Sequence, residues 1–285
     1  MDLYFSKYQG TGNDFILLDG RAGVDARWTA PEQVALLCDR RFGIGADGLI
    51  CLLPSQEADF RMQYFNSDGH ESTMCGNGGR CLAAFAAAIG AAGAAGRFLA
   101  VDGPHAYRIL PGGLVELEMI RPYGYRVLGE DRVFLHTGSP HYVAFLPEGL
   151  EQLAVDTEGR RIRYDAAFAP GGLNVNFVQA DGPQALRVRT YERGVEAETL
   201  SCGTGVTAAA YTWLIRSGLA AGGQGSVQIR TPGGELAVRV SDFGAETERV
   251  LLTGPAERVF DGVYRSRDSE VPAQPPSTSA SQISI

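Results

Sequence analysis

Apolar and polar positions repeat along this chain with two different periods. In "LVELEMI" (114–120) and "ELAVRV" (235–240) they alternate one by one, which predicts antiparallel strands with one wet face. "FRMQYFN", ending at Asn66, and "LRVRTYE", ending at Glu192, also read as strands. Elsewhere the spacing is helical: Leu82, Phe85, Ala86 and Ile89 share one face, and so do Val206, Ala210, Trp213 and Leu214. Alanine fills most of the remaining positions, so neither helix has the charged side of a surface helix, and both are predicted to be enclosed. A separate short helix is expected over Pro31–Arg41, with Pro31 in its first turn and Gly43 just past its end.

These elements recur in one order. "TMCGNGGRC" from Thr73 and "SCGTG" from Ser201 place Cys75, Gly76 and Gly78 over Cys202, Gly203 and Gly205 at an offset of 127. Upstream, "TGNDFILL" from Thr11 resembles "TGSPHYVAF" from Thr137 at an offset of 126. Each half therefore reads as strands, a turn-rich loop, a Cys-Gly-x-Gly helix start and more strands. The predicted fold is α+β, with two pseudo-symmetric lobes, each a mostly antiparallel sheet rolled around a central helix. The first lobe is expected over residues 1–118, joined by the closing segment 256–266, and the second over 119–255; "RPYGY" and "GED" interrupt the pattern near 118–131. The end of the chain, 267–285, is rich in Pro and Ser without periodicity and is expected to be disordered.

Composition narrows the chemistry. The 285 residues carry 33 carboxylates against 25 Lys and Arg, an acidic balance that argues against nucleic-acid or anionic-membrane partners and for a small-molecule substrate. "MDLYFSKYQG" lacks the pattern of a signal peptide and no apolar run is long enough to span a bilayer, so the expected location is the cytoplasm. Five cysteines in so long a chain fit reduced thiols better than a disulfide framework. Lys7 is the one lysine, in a strand-like opening segment, which argues against a pyridoxal Schiff base.

The repeated Cys-Gly-x-Gly starts carry the remaining chemistry. The first amides of a helix lack intrahelical partners and lie at the positive end of its dipole, so a thiol there is expected to ionise more easily than the ordinary ~8.5. Neighbouring glycines let an anion approach the amides closely. Two such halves facing each other would place one thiolate and one thiol on opposite faces of a carbon stereocentre, with its carboxylate bridging the amides, and would need neither cofactor nor metal. Cys38, Cys51 and Cys81 lack this setting and read as small buried side chains. The Cys and His spacings fit no common zinc site, and neither glycine motif has the ending of a phosphate loop. A non-catalytic amino-acid-binding protein is the alternative of another class; a thiol kept at both helix starts weighs against it.

"GTGNDF", "FNSDGHESTMCGNGGRC", "TGSPHYV", "ERGVEAETLSCGTG" and "LTGPAERVFDG" together resemble the diaminopimelate epimerase family, over nearly the whole chain to about Arg265. Proline racemases and phenazine-biosynthesis isomerases share the two-lobed fold but lack this combination of motifs; a racemase or epimerase of another amino or imino acid on that fold is the alternative. The resemblance implies cofactor-independent interconversion of LL- and meso-2,6-diaminoheptanedioate, in lysine and peptidoglycan-precursor synthesis, by a homodimer. It implies Cys75 and Cys202 as the acid/base thiols, assisted by His141 and Glu192. Gly76, Asn77, Gly203 and Thr204 would hold the reacting carboxylate, Asn13 would lie near the reacting amine, and Asn66, Asn174, Glu192 and Arg193 would recognise the substrate. This chain has Ser139 where many members have Asn, and Gly48 where some have Gln.

Overall fold

Each alanine-rich helix is wrapped by strands on all sides, as the sequence pattern requires. In the computed structural model, which describes residues 2–265, the first half runs β1 (Asp2–Gly10), β2 (Asn13–Asp19), α1 (Pro31–Cys38), β3 (Gly48–Leu53), β4 (Phe60–Asn66), α2 (Gly76–Ala88), β5 (Ala95–Ala100), β6 (Gly103–Leu110) and β7 (Leu114–Met119). The second runs β8 (Tyr123–Gly129), β9 (Arg132–His136), β10 (Pro140–Phe145), α3 (Val155–Arg163), β11 (Asn174–Ala180), β12 (Ala185–Glu192), β13 (Ala197–Thr199), α4 (Gly203–Ser217), β14 (Gln224–Thr231), β15 (Gly234–Ser241) and β16 (Arg249–Pro255). A last strand, β17 (Glu257–Arg265), returns to pair antiparallel with β1.

The repeat is visible in the topology. Most neighbouring strands are antiparallel, but β2–β3, β4–β5, β10–β11 and β12–β14 are parallel. Parallel neighbours need a crossover, and α1, α2, α3 and α4 respectively supply it. Thus α3 is the second-half counterpart of α1, a helix the sequence pattern does not predict. Its buried apolar side chains are Val155 and Ile162, and Gly159 lies between them because a methyl group there would meet the Tyr191 side chain at 2.4 to 2.9 Å.

Two expectations are corrected. Helix α1 ends at Cys38 and not at Arg41, because Asp39 turns extended and its carboxylate accepts the Arg41 and Phe42 amides at 2.7 Å each. The interruption near 118–131 contains a strand: β8 pairs with β9, "GED" supplies their turn, and β8 lacks an alternating pattern because nearly all of it is exposed. Residues 267–285, expected to be disordered, lie outside the described residues.

One apolar core surrounds both α2 and α4 and passes from half to half; smaller clusters lie under α1 and α3. Leu82, Phe85, Val206 and Leu214 are all buried in it, each contributing about 1.5–3 kcal/mol on the usual transfer scale. The halves are also joined by backbone, since β7 and β16 pair antiparallel from Leu114↔Pro255 to Met119↔Val250. Among the described residues, no helix is long and apolar enough to cross a membrane.

Candidate active site

The two helix starts meet. Cys75 is the N-cap of α2 and Cys202 that of α4, both with extended backbone, and no side chain caps either helix. A methyl group added at Gly203 would stand 3.0 Å from the Gly76 Cα and 3.4 Å from the Asn77 nitrogen. Glycine at both positions is what lets the positive ends of two helix dipoles approach so closely.

On the first side, Thr11 (φ 51°) and Gly12 (φ 82°) form the two-residue turn from β1 to β2 and deliver Asn13 next to Cys75. The Cys75 thiol donates to Asn13 Oδ1 at 3.6 Å, and Asn77 Nδ2 donates to the same oxygen at 3.3 Å. The Asn13 amide nitrogen donates to Asp47 at 2.7 Å, so the direction of the amide is fixed. Asp47 is held in turn by Arg40, and Arg40 with Lys7 by Asp14, whose carboxyl is thereby held down at about 2 against the opposing effect of burial. Lys7 therefore anchors the strands that present Asn13. Asn77 Nδ2 also donates to the Ser201 carbonyl at 2.8 Å, tying α2 to the residue before Cys202.

On the second side, Glu192 at the end of β12 accepts the Thr199 hydroxyl at 2.6 Å and lies close enough to Cys202 for each to feel the other's charge. His141 does not reach a sulfur. Its Nδ1 faces Asn176 Nδ2 at 3.1 Å, and that amide also donates to the Tyr142 carbonyl while its oxygen accepts from Thr190, so Nδ1 is the acceptor and Nε2 carries the proton. Nε2 lies 3.0 Å from Ser139 Oγ, which also accepts from Asn174 Nδ2 at 3.0 Å. With both lone pairs taken, the Ser139 proton points to Thr204 Oγ1 at 3.4 Å, and the Thr204 proton to Cys202 Sγ at 3.4 Å. Ser139→Ala strips the acceptor from two buried donors and should cost about 1–3 kcal/mol, read as a lower urea midpoint with unchanged slope; an unchanged midpoint would show that the chain is not formed.

Electrostatics correct one expectation. Burial pushes the Cys75 thiol up to about 11 and raises the Cys202 thiol well above the usual range; the Glu192 charge adds to both, and the amides of Asn77, Gly78 and Gly205 offset only part of it. Desolvation thus outweighs the helix dipole, and both groups are thiols at neutral pH. Burial also raises Glu192, which suits it to receive a proton from Cys202, and pulls His141 down to about 3, so that imidazole is neutral.

The remaining expected residues are distributed unevenly. Asn66 ends β4, half-buried beside Gly48 across the ladder. The Asn174 amide is spent within the protein, accepting from the Arg193 backbone nitrogen at 2.9 Å and donating to Ser139, so it positions those residues. The Arg193 side chain is exposed. At Gly48 a methyl group would meet the Tyr64 ring at 2.6 Å, so the place open to a longer side chain is filled by Tyr64. Sequence reading did not single out Tyr64, Asn176, Arg80 or Ser201, whose buried hydroxyl has no partner among the described residues. Nor do three His, Cys, Asp or Glu side chains among the described residues stand where they could share a metal ion.

Opposed thiols at paired helix starts, on two lobes of one plan, define an isomerase of the epimerase and racemase class. The fold is shared with a PhzF-family phenazine biosynthesis protein from Bacillus anthracis (TM-score 0.72, 13% identity, 93% of this chain and 100% of that one) and a probable proline racemase from Agrobacterium radiobacter (TM-score 0.70, 16% identity, 95% and 94%). The sequence profile of diaminopimelate epimerase matches residues 5–101 and 133–259. Diaminopimelate epimerases from Flavobacterium psychrophilum and Archaeoglobus fulgidus are 44% and 39% identical to it, over 92% and 93% of this chain and 99% and 97% of theirs. The chain belongs to the diaminopimelate epimerase family.

Proposed function

We propose that this chain epimerises one α-carbon of 2,6-diaminoheptanedioate, interconverting the LL and meso forms, with Cys75 and Cys202 as proton-transfer groups on opposite faces of that carbon. The observation that carries this reading is the contact of Gly76 with Gly203, which brings two uncapped helix starts and their thiols to one place. One sulfur removes the Cα proton, the bonding pair moves into the carboxylate, and the other sulfur delivers a proton from the far side. The charge that develops on the carboxylate is met by amides already pointed at it, an arrangement that needs no reorganisation during the reaction. Glu192 receives the Cys202 proton, so that the thiolate forms by moving a negative charge already present in the site and not by adding one. The exposed Arg193 guanidinium suits a distal carboxylate. No cofactor enters this scheme.

We take the same reading to include a cytoplasmic homodimer; Tyr4 and Val263, apolar, exposed and paired across β1 and β17, support a protein partner there. The test of the activity is exchange. In heavy water, the LL substrate should gain deuterium at Cα as the meso form appears, and proline should gain none. Absence of label from the diamino acid, or label in proline instead, would overturn the assignment.

A further inference from the structure

Arg80 is the largest side chain buried completely, and no carboxylate among the described residues is within ion-pair distance of it. Its donors reach only neutral acceptors: Nε the Pro255 carbonyl at 3.3 Å, Nη1 the Gly76 carbonyl at 3.3 Å, and Nη2 Thr11 Oγ1 at 3.3 Å and Asn77 Oδ1 at 3.0 Å. The bed for it is built of glycine. A methyl group at Gly254 would stand 3.1 Å from Nε, and one at Gly10 3.3 Å from Nη2. Burial lowers its basicity, but a guanidinium starts so far above neutrality that it keeps its charge. The side chain points back to the start of α2, where the helix dipole is already positive. A buried cation with no counter-charge at that end of a helix is unfavourable on both counts, and folding alone does not explain it.

The repeat indicates what the charge is for. At the offset of 127, Arg80 corresponds to Thr207, equally buried, whose hydroxyl donates to the Gly203 carbonyl at 2.8 Å as Arg80 Nη1 does to Gly76. The strand ends differ as well: Glu192 closes β12, where Asn66 closes β4. Cys202 thus has a carboxylate to take its proton and no cation, while Cys75 has a cation behind its helix start and an amide in place of the carboxylate.

We infer that Arg80 is an electrostatic positioning residue for Cys75: its unpaired charge stabilises the Cys75 thiolate and the carboxylate bound beside it, performing on the first lobe what Glu192 performs on the second. It also holds the Asn77 oxygen, which leaves the amide nitrogen to face Asn13 and Ser201. This rests on the reading of Cys75 as a proton-transfer group. The Glu192 carboxylate opposes the ionisation of Cys75, and a thiolate at Cys75 in turn makes Tyr64, Cys81 and Cys202 harder to ionise.

The experiment measures iodoacetamide alkylation of Cys75 and of Cys202 against pH, resolved by peptide mapping, in the wild type, Arg80→Gln and Arg80→Lys. The glutamine removes the charge and keeps a donor; the lysine keeps the charge and loses the fork. In Arg80→Gln, Cys75 should react about tenfold more slowly at neutral pH, its titration moved up by about one pKa unit, with Cys202 moved much less. In Arg80→Lys, Cys75 should stay within about threefold of wild type even where the melting temperature falls, since charge and not hydrogen bonding sets the ionisation. Unchanged Cys75 titration in the glutamine variant, or a tenfold loss in the lysine variant, overturns the inference; either variant suffices if the other does not fold. Alkylation reports ionisation whether or not Cys75 takes part in turnover, so failure of the two-thiol reading would appear separately, as conversion of the LL to the meso form that survives loss of Cys75.

Discussion

Cys75→Ala and Cys202→Ala are each expected to reduce epimerisation by about four orders of magnitude while leaving the fold intact. Inversion needs a proton removed from one face of the carbon and another delivered to the opposite face, and each lobe supplies a single sulfur at that place. The structural cost is small, about 1 kcal/mol, because each cysteine is an N-cap whose sulfur makes no cap bond, and the helices behind them are held by Leu82, Phe85, Val206 and Leu214. Serine at either position should restore little, the hydroxyl being a much weaker acid. The measurement is meso product formed from the LL substrate, beside a melting curve. Near wild-type turnover in either alanine variant would mean that the two sulfurs are not the acid and base.

A second large effect is expected from a single methyl group. Gly203→Ala places a Cβ 3.0 Å from the Gly76 Cα and 3.3 Å from Leu252 Cδ2. The leucine can rotate away but the backbone of α2 cannot, so the helix starts must separate by some tenths of an ångström. Stability should fall by about 1–3 kcal/mol, as for other overpacked sites. Activity should fall by about a hundredfold, because both sulfurs and both sets of amides are aimed from these two turns. Turnover at saturating substrate is the quantity to follow; a loss confined to KM would indicate that the helix contact serves binding and not the alignment of the thiols.

The parts of this site legible in the sequence are those written as local pattern. Cys75 and Cys202 announce themselves by a repeated glycine context, and Asn66 and Glu192 by standing at the ends of equivalent strands. What depends on distance in space is not written that way. The thiols are harder to ionise than their helix starts suggest, because burial by the opposite lobe exceeds the effect of a few amides. His141 is adjacent to the site in sequence pattern but separated from Cys202 by two hydroxyls, Ser139 and Thr204. Helix α3 escapes notice because a glycine required by Tyr191 and a run of charged residues hide its short apolar stripe. Arg80 lies inside the most recognisable motif of the chain, yet its distinction from a surface arginine is wholly a matter of what fails to surround it.

Lys7, the one lysine in the sequence, is 6% exposed and is held by Asp14 and, at 2.6 Å, by the Gly45 carbonyl. The folded chain consequently offers acylating reagents almost no side-chain amine, and any label that reaches Lys7 must arrive when β1, β2 and the loop before β3 have come apart. Those are the strands that present Asn13 to Cys75. Acetylation of this single amine, followed against time by mass, is therefore a built-in clock for the local opening of one wall of the site, free of background from any other lysine.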